Sequence, residues 1–140
     1  MKKAIIIGAT SGIGEALIPE LIQQGYQVGL TGRREEKLKT LHHQFPGQTQ
    51  YEMMDVSVPD QAIASLQQLI EKMGGMDLIV INAGVGNSNP DHEWDKDRSM
   101  IEVNVLGFVA IADTAMQKFI QQGSGHLVGI SSIAAIRNHG

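Results

Sequence analysis

The apolar run Ala4-Ile5-Ile6-Ile7 breaks into Gly8-Ala9-Thr10-Ser11-Gly12-Ile13-Gly14, and an amphipathic segment follows. Consecutive aliphatic residues without polar alternation are the pattern of a parallel strand covered on both faces. A buried strand, a glycine turn and a helix N-terminus, in that order, form an element suited to a phosphate. One glycine permits the tight turn, one lets a pyrophosphate approach the main chain, and one lets the helix lie close on the strand. Unpaired N–H groups at the helix start face the anion. The spacing is GxxxGxG rather than GxGxxG, and taken alone it also occurs in ordinary strand-to-helix turns.

The rest of the chain repeats the alternation. Strands are predicted over Lys3 to Ala9, Gln27 to Thr31, Gln50 to Met54, Asp77 to Ile81 and His126 to Ile130. Helices are predicted over Glu15 to Gln24, Glu35 to His43, from Ser57 and Pro59 to Met73, and from about Lys96 to Gln122. In the first helix Ala16, Leu17 and Leu21, with Ile18 and Ile22 beside them, are assigned to the sheet-facing side, and Pro19 should kink it. The last helix is apolar over most of its circumference, which predicts burial on more than one side. Residues 85–95 read as a polar loop, and the tail from Ile133 to Gly140 has no clear pattern. Short connections between alternating strands and helices predict one α/β domain over residues 1–140, a doubly wound parallel sheet with helices on both faces. A ligand crevice belongs at the carboxyl ends of its strands, where the strand order reverses. Gly8 to Gly14, Arg33, Asp55, Asn82 and Ser132 all fall at such ends.

Composition narrows the partners. The net charge of −4 argues against nucleic acid or an anionic membrane. The absence of cysteine excludes disulfides and thiolate zinc sites and is compatible with a cytoplasmic location. The apolar run after Met1-Lys2-Lys3 ends at Gly8, too early for a signal peptide, and no segment reads as approaching a membrane span. The histidines show no ligand spacing, so no metal is assigned.

The end of the second strand discriminates between nicotinamide nucleotides. An acid there accepts from the adenosine ribose hydroxyls, whereas this chain has Gly32-Arg33-Arg34. A guanidinium matches a phosphate bidentately and stacks on adenine, which favours NADP(H) over NAD(H). Asp55 has two readings: a partner for the adenine amino group, or a polar residue at a helix start.

Gly8 to Gly14, Asp55-Val56, Asn82-Ala83-Gly84, Asn104 and Ser131-Ser132 occur in an order and spacing that resembles the short-chain dehydrogenase/reductase family over the whole chain. The resemblance implies a Rossmann-type sheet of strand order 3-2-1-4-5, NAD(P)H binding, and hydride exchange with a small-molecule carbonyl or alcohol. It implies that Asn82, Ala83 and Gly84 line the cofactor side, that Asn104 supports a proton-relay water, and that Ser132 is the catalytic serine bonding the substrate oxygen. It also implies a homo-oligomer, dimer or tetramer. Ile7 and Ile81 stand where many relatives carry threonine and asparagine. The larger departure concerns the family's general acid, a tyrosine with a lysine one helical turn further on, placed roughly a dozen residues beyond the serine. The only tyrosines here are Tyr26 and Tyr51. The chain is therefore expected to be the N-terminal part of a longer enzyme, truncated before the sixth and seventh strands, and inactive by itself. Two alternatives stay open: a non-catalytic NADP(H)-binding module or scaffold, and a structural α/β domain without a ligand.

Overall fold

A computed structural model describes residues 1–10, 12–82 and 91–130. Among them β1 (Lys2–Ile7), α1 (Gly12–Gln23), β2 (Tyr26–Gly32), α2 (Glu35–Gln44), β3 (Thr49–Met53), α3 (Pro59–Met73), β4 (Leu78–Ile81), α4 (Trp94–Gln122) and β5 (His126–Gly129) alternate along the chain. The strands form one parallel sheet in the order β3-β2-β1-β4-β5, a Rossmann-like α/β arrangement. The order reverses between β1 and β4, where Ile7 pairs with Ile81.

Both faces of the sheet are apolar, and this is why β1 shows no polar alternation. Ile5, Ile7, Ile79 and Ile81 pack under α3 and α4 with Leu66, Leu69, Ile111 and Phe119. Ile6, Val28 and Leu30 pack on the other face under α1 and α2, with Ile18, Leu38 and Leu41. The helix α3 starts at a proline and ends at Gly74, whose φ of 77° places it in the left-handed region of a helix stop. Gly123 ends α4 in the same way, with φ 79°.

Several expectations change in detail. β1 ends at Ile7, so Gly8 and Ala9 belong to the turn, and α1 opens at Gly12 rather than Glu15. The helix α1 runs on through Pro19, as the sequence reading has it. That residue is exposed, so the carbonyl losing its helical donor lies on the solvent side. Ala16 is exposed as well, against the sequence assignment. Gly14 and Ile18, four residues apart, define the buried face of α1, and Ala16 falls on the opposite side of the turn.

Burial of α4 on more than one side is not seen among the described residues. Ile111, Ala115 and Phe119 are buried against α3 and the sheet, whereas Val105, Leu106, Val109 and Ile120 are 47–74 % exposed. The expectation that no segment approaches a membrane span also fails for this helix. Over 18 residues its mean hydropathy reaches 1.4, long and apolar enough to cross a membrane by length and composition alone. Asn104 and the pair Asp113-Thr114 interrupt the apolar residues in the sequence, but a helix carries such short interruptions without losing a high mean.

Candidate functional site

The carboxyl ends of β1, β2, β3 and β4 share one edge of the sheet, and main-chain bonds carry the ladder two residues past β1 and one residue past β3 and β4. Ala9 N–H donates to the Thr31 carbonyl (2.8 Å), Met54 N–H to Gly32 (2.8 Å) and Asn82 N–H to Ile7 (2.9 Å). The residues that leave these ends are therefore held in register with one another.

The glycine turn begins with Gly8 at φ 84°, a conformation costly for any residue with a Cβ. Its N–H donates to Thr31 Oγ1 (3.2 Å), and the Thr31 hydroxyl donates to the Ile6 carbonyl (2.9 Å). Asn82 Nδ2 donates to the Gly8 carbonyl (3.4 Å), linking the turn to β4 across the switch in strand order. Gly14 fits against this turn from α1. A Cβ there would overlap the Gly8 carbonyl oxygen and lie 2.9 Å from Asn82 Nδ2. Gly12 is different: a Cβ on it meets nothing within 4 Å, so the main chain at the start of α1 faces open space. Ile13 beside it is 56 % exposed. Open backbone at the N-terminus of a 12-residue helix, at the point where the strand order reverses, fits an anionic dinucleotide.

The second half of the site lies past β2 and β3. Arg33 and Asp55, with Met54, Gln61, Ser65 and Gln68, line an open groove of about 530 Å³. Ser57 donates twice to Asp55 Oδ1, from its hydroxyl at 2.6 Å and its N–H at 3.0 Å. The Ser57 hydroxyl bond, then its N–H bond, hold the Asp55 carboxyl below the ordinary aspartate value of 3.8; partial burial opposes them, and the charge of Arg33 adds to the lowering. Arg34 turns away from this groove and donates from Nη2 to the Thr10 carbonyl at 3.0 Å. Val56 lies under α4, where a Cβ on Gly107 would come within 2.6 Å of its carbonyl oxygen.

The structure thus brings Gly8, Gly14 and Asn82 together, joins Thr10 to Arg34, and sets Arg33 beside Asp55. Asn104 is half-buried on α4. Ser11, Ala83, Gly84, Ser131 and Ser132 lie outside the described residues, as do residues 85–90 and the tail after Ser132. Two contributors have no role in the sequence reading. Thr31 is fully buried and supplies the hydroxyl under the turn, yet in sequence it reads as one more strand threonine. Gly107 carries a fainter signal, since a glycine inside a long helix costs about 1 kcal/mol against alanine and so marks a close approach.

The chain is similar to known proteins along its length. A family model described as short chain dehydrogenase matches residues 2–139. An uncharacterized oxidoreductase of Myxococcus xanthus is 34% identical over 141 residues, covering 97% of this chain and 56% of the relative. A short-chain type dehydrogenase/reductase from Mycobacterium marinum superposes with a TM-score of 0.88 at 27% identity, covering 99% of this chain and 59% of the other. An alcohol dehydrogenase from the archaeon Thermococcus sibiricus, solved with 5-hydroxy-NADP, gives 0.83 at 30% identity, covering 99% and 61%. The chain spans somewhat more than half the length of these relatives. A match over nearly every residue, joined to a parallel sheet in the order β3-β2-β1-β4-β5, makes this chain a member of the short chain dehydrogenase family.

Proposed function

We propose that residues 1–140 form the coenzyme-binding domain of an NADP(H)-dependent oxidoreductase that exchanges hydride with a small-molecule carbonyl or alcohol. The carrying observation is the pair Arg33 and Asp55 on one groove beside an open glycine turn. Bound NADP(H) would supply or accept the hydride. Gly8, Thr10, Ser11, Gly12, Ile13 and Gly14 would receive the pyrophosphate through main-chain N–H groups, with Ile13 and Asn82, Ala83 and Gly84 toward the nicotinamide half. Arg33 would pair with the 2′-phosphate, and its exposure leaves the guanidinium free to do so. Asp55 and Val56 would meet the adenine, with the Asp55 carboxylate accepting from its amino group.

By the family resemblance Ser132 would bond the substrate oxygen and Asn104 would hold a water for proton relay. No tyrosine follows Ser132 in this sequence, so the 140-residue chain is expected to bind coenzyme without turning over. A cytoplasmic location, self-association, and no partnership with nucleic acid or membrane complete the reading, with the net charge of −4 in its support.

The test is a titration of the chain with NADPH and NADH by protein fluorescence or calorimetry. NADPH should bind more tightly, and Arg33→Asp should weaken NADPH far more than NADH. Equal losses for the two would remove the 2′-phosphate assignment, and binding of neither would leave only a structural role.

A further inference from the structure

Arg33 and Arg34 are neighbours in sequence but serve different groups. Arg33 lines the groove beside Asp55. Arg34 is the N-cap of α2 and makes no side-chain cap bond there. A cation is disfavoured at that end of a helix. The guanidinium reaches back to the glycine turn instead, where Nη2 donates to the Thr10 carbonyl at 3.0 Å and to Thr10 Oγ1 at 3.4 Å.

Thr10 is held from a second side. Its residue is 8 % exposed, and its methyl group lies against the main chain of Gly32, so that a Cβ on Gly32 would come within 2.6 Å of Thr10 Cγ2. Bonds from the same stretch hold the two residues before it. Gly8 N–H donates to Thr31 Oγ1 and Ala9 N–H to the Thr31 carbonyl. Three successive residues of the turn are thus fixed by Thr31, Gly32 and Arg34, all at the end of β2.

We infer that Arg34 is a positioning residue: it holds the glycine turn in the shape that receives the pyrophosphate and does not read the 2′-phosphate. This rests on the coenzyme-binding reading above. The pyrophosphate is common to both nicotinamide nucleotides, so Arg34 acts on NADH and NADPH alike and discrimination falls to Arg33.

The experiment uses the 140-residue chain and its Arg34→Met and Arg34→Lys variants. Amide hydrogen exchange of the peptide around Gly8 to Thr10 is followed without nucleotide, and both coenzymes are then titrated. A charge-assisted bond at a partly exposed site is worth about tenfold. Arg34→Met should therefore speed exchange of the turn and weaken NADPH and NADH each by roughly tenfold, with their ratio unchanged within about twofold. Arg34→Lys keeps one donor for the Thr10 carbonyl and should recover part of both effects. Unchanged exchange in Arg34→Met overturns the inference, and so does a tenfold shift of preference toward NADH. Failure of the unsubstituted chain to bind either nucleotide overturns the coenzyme reading instead, and the exchange result then still decides whether Arg34 holds the turn.

Discussion

Replacing Gly14 with alanine tests whether the turn and α1 fit as closely as the structure shows. Alanine normally gains about 0.5–1 kcal/mol over glycine inside a helix. Here the added methyl would overlap the Gly8 carbonyl oxygen and stand 2.9 Å from Asn82 Nδ2 and 3.0 Å from the Gly8 carbonyl carbon. Asn82 can rotate aside; the Gly8 carbonyl cannot, because its own N–H and the next are bonded to Thr31. Either α1 lifts from β1 or the turn opens. Overpacking of this kind costs about 1–3 kcal/mol, and immovable main chain puts this case at the upper end. At about 3 °C per kcal/mol for a chain of this size, a fall in Tm of roughly 6–9 °C is expected by calorimetry. If the turn and the start of α1 receive the pyrophosphate as proposed, coenzyme affinity should fall at least tenfold, since the N–H groups they carry shift with them. Gly12 is the control: φ is +58° and a Cβ meets nothing within 4 Å. Substitutions there should rank by tolerance of the left-handed region, Gly12→Asn milder than Gly12→Ala, whereas at Gly14 asparagine should be worse than alanine. A Gly14→Ala protein with unaltered Tm and affinity would refute the packing argument.

Three further outcomes are expected. Thr31→Val removes the hydroxyl that joins Gly8 N–H to the Ile6 carbonyl, and the loss of about 1–3 kcal/mol should lower Tm by roughly 3–9 °C. Ile111→Ala, at the buried face of α4, should cost about 2–4 kcal/mol in urea unfolding, while Leu106→Ala on the exposed face of the same helix should leave the midpoint of this chain unchanged. Asp55 is lowered in the folded chain, so its contribution to stability is whole above the ordinary value of 3.8 and is lost as pH falls through the lowered folded value. Ser57→Ala removes the larger of the two bonds responsible and should move the carboxyl back toward 3.8 in a carbon-13 NMR titration; an unmoved carboxyl would discount that bond.

Order and type of elements were legible because both cores are aliphatic and the helices carry clear stops. The isoleucines of β1 announced a doubly covered strand, and Gly74 and Gly123 marked helix ends by residue type alone. What the sequence hides is direction. Arg33 and Arg34 are chemically the same, and only the fold shows that one lines a groove while the other bonds the Thr10 carbonyl. Ala16 looked as suited to the core as Ile18, but a 100° step per residue turned it to solvent. For α4 the pattern reported apolar residues all round, and no local signal distinguishes the face that α3 covers from the face it leaves open. Thr31 illustrates a further limit. Its hydroxyl matters through partners at Ile6 and Gly8, and contacts across such a separation have no local pattern.

The bond from Asn82 to Gly8 has a consequence in time. Its partners are 74 residues apart, and β1 cannot pair with β4 before Ile81 has been made. At synthesis rates of about 5–20 residues per second, the stretch from the end of β2 at Gly32 to Asn82 takes roughly 3–10 s, during which the glycine turn is a strand end with β2 on one side and nothing on the other. The first residues to leave the ribosome are thus among the later ones to be finished, and, if the turn receives the coenzyme as proposed, nascent chains shorter than Asn82 should not yet retain it.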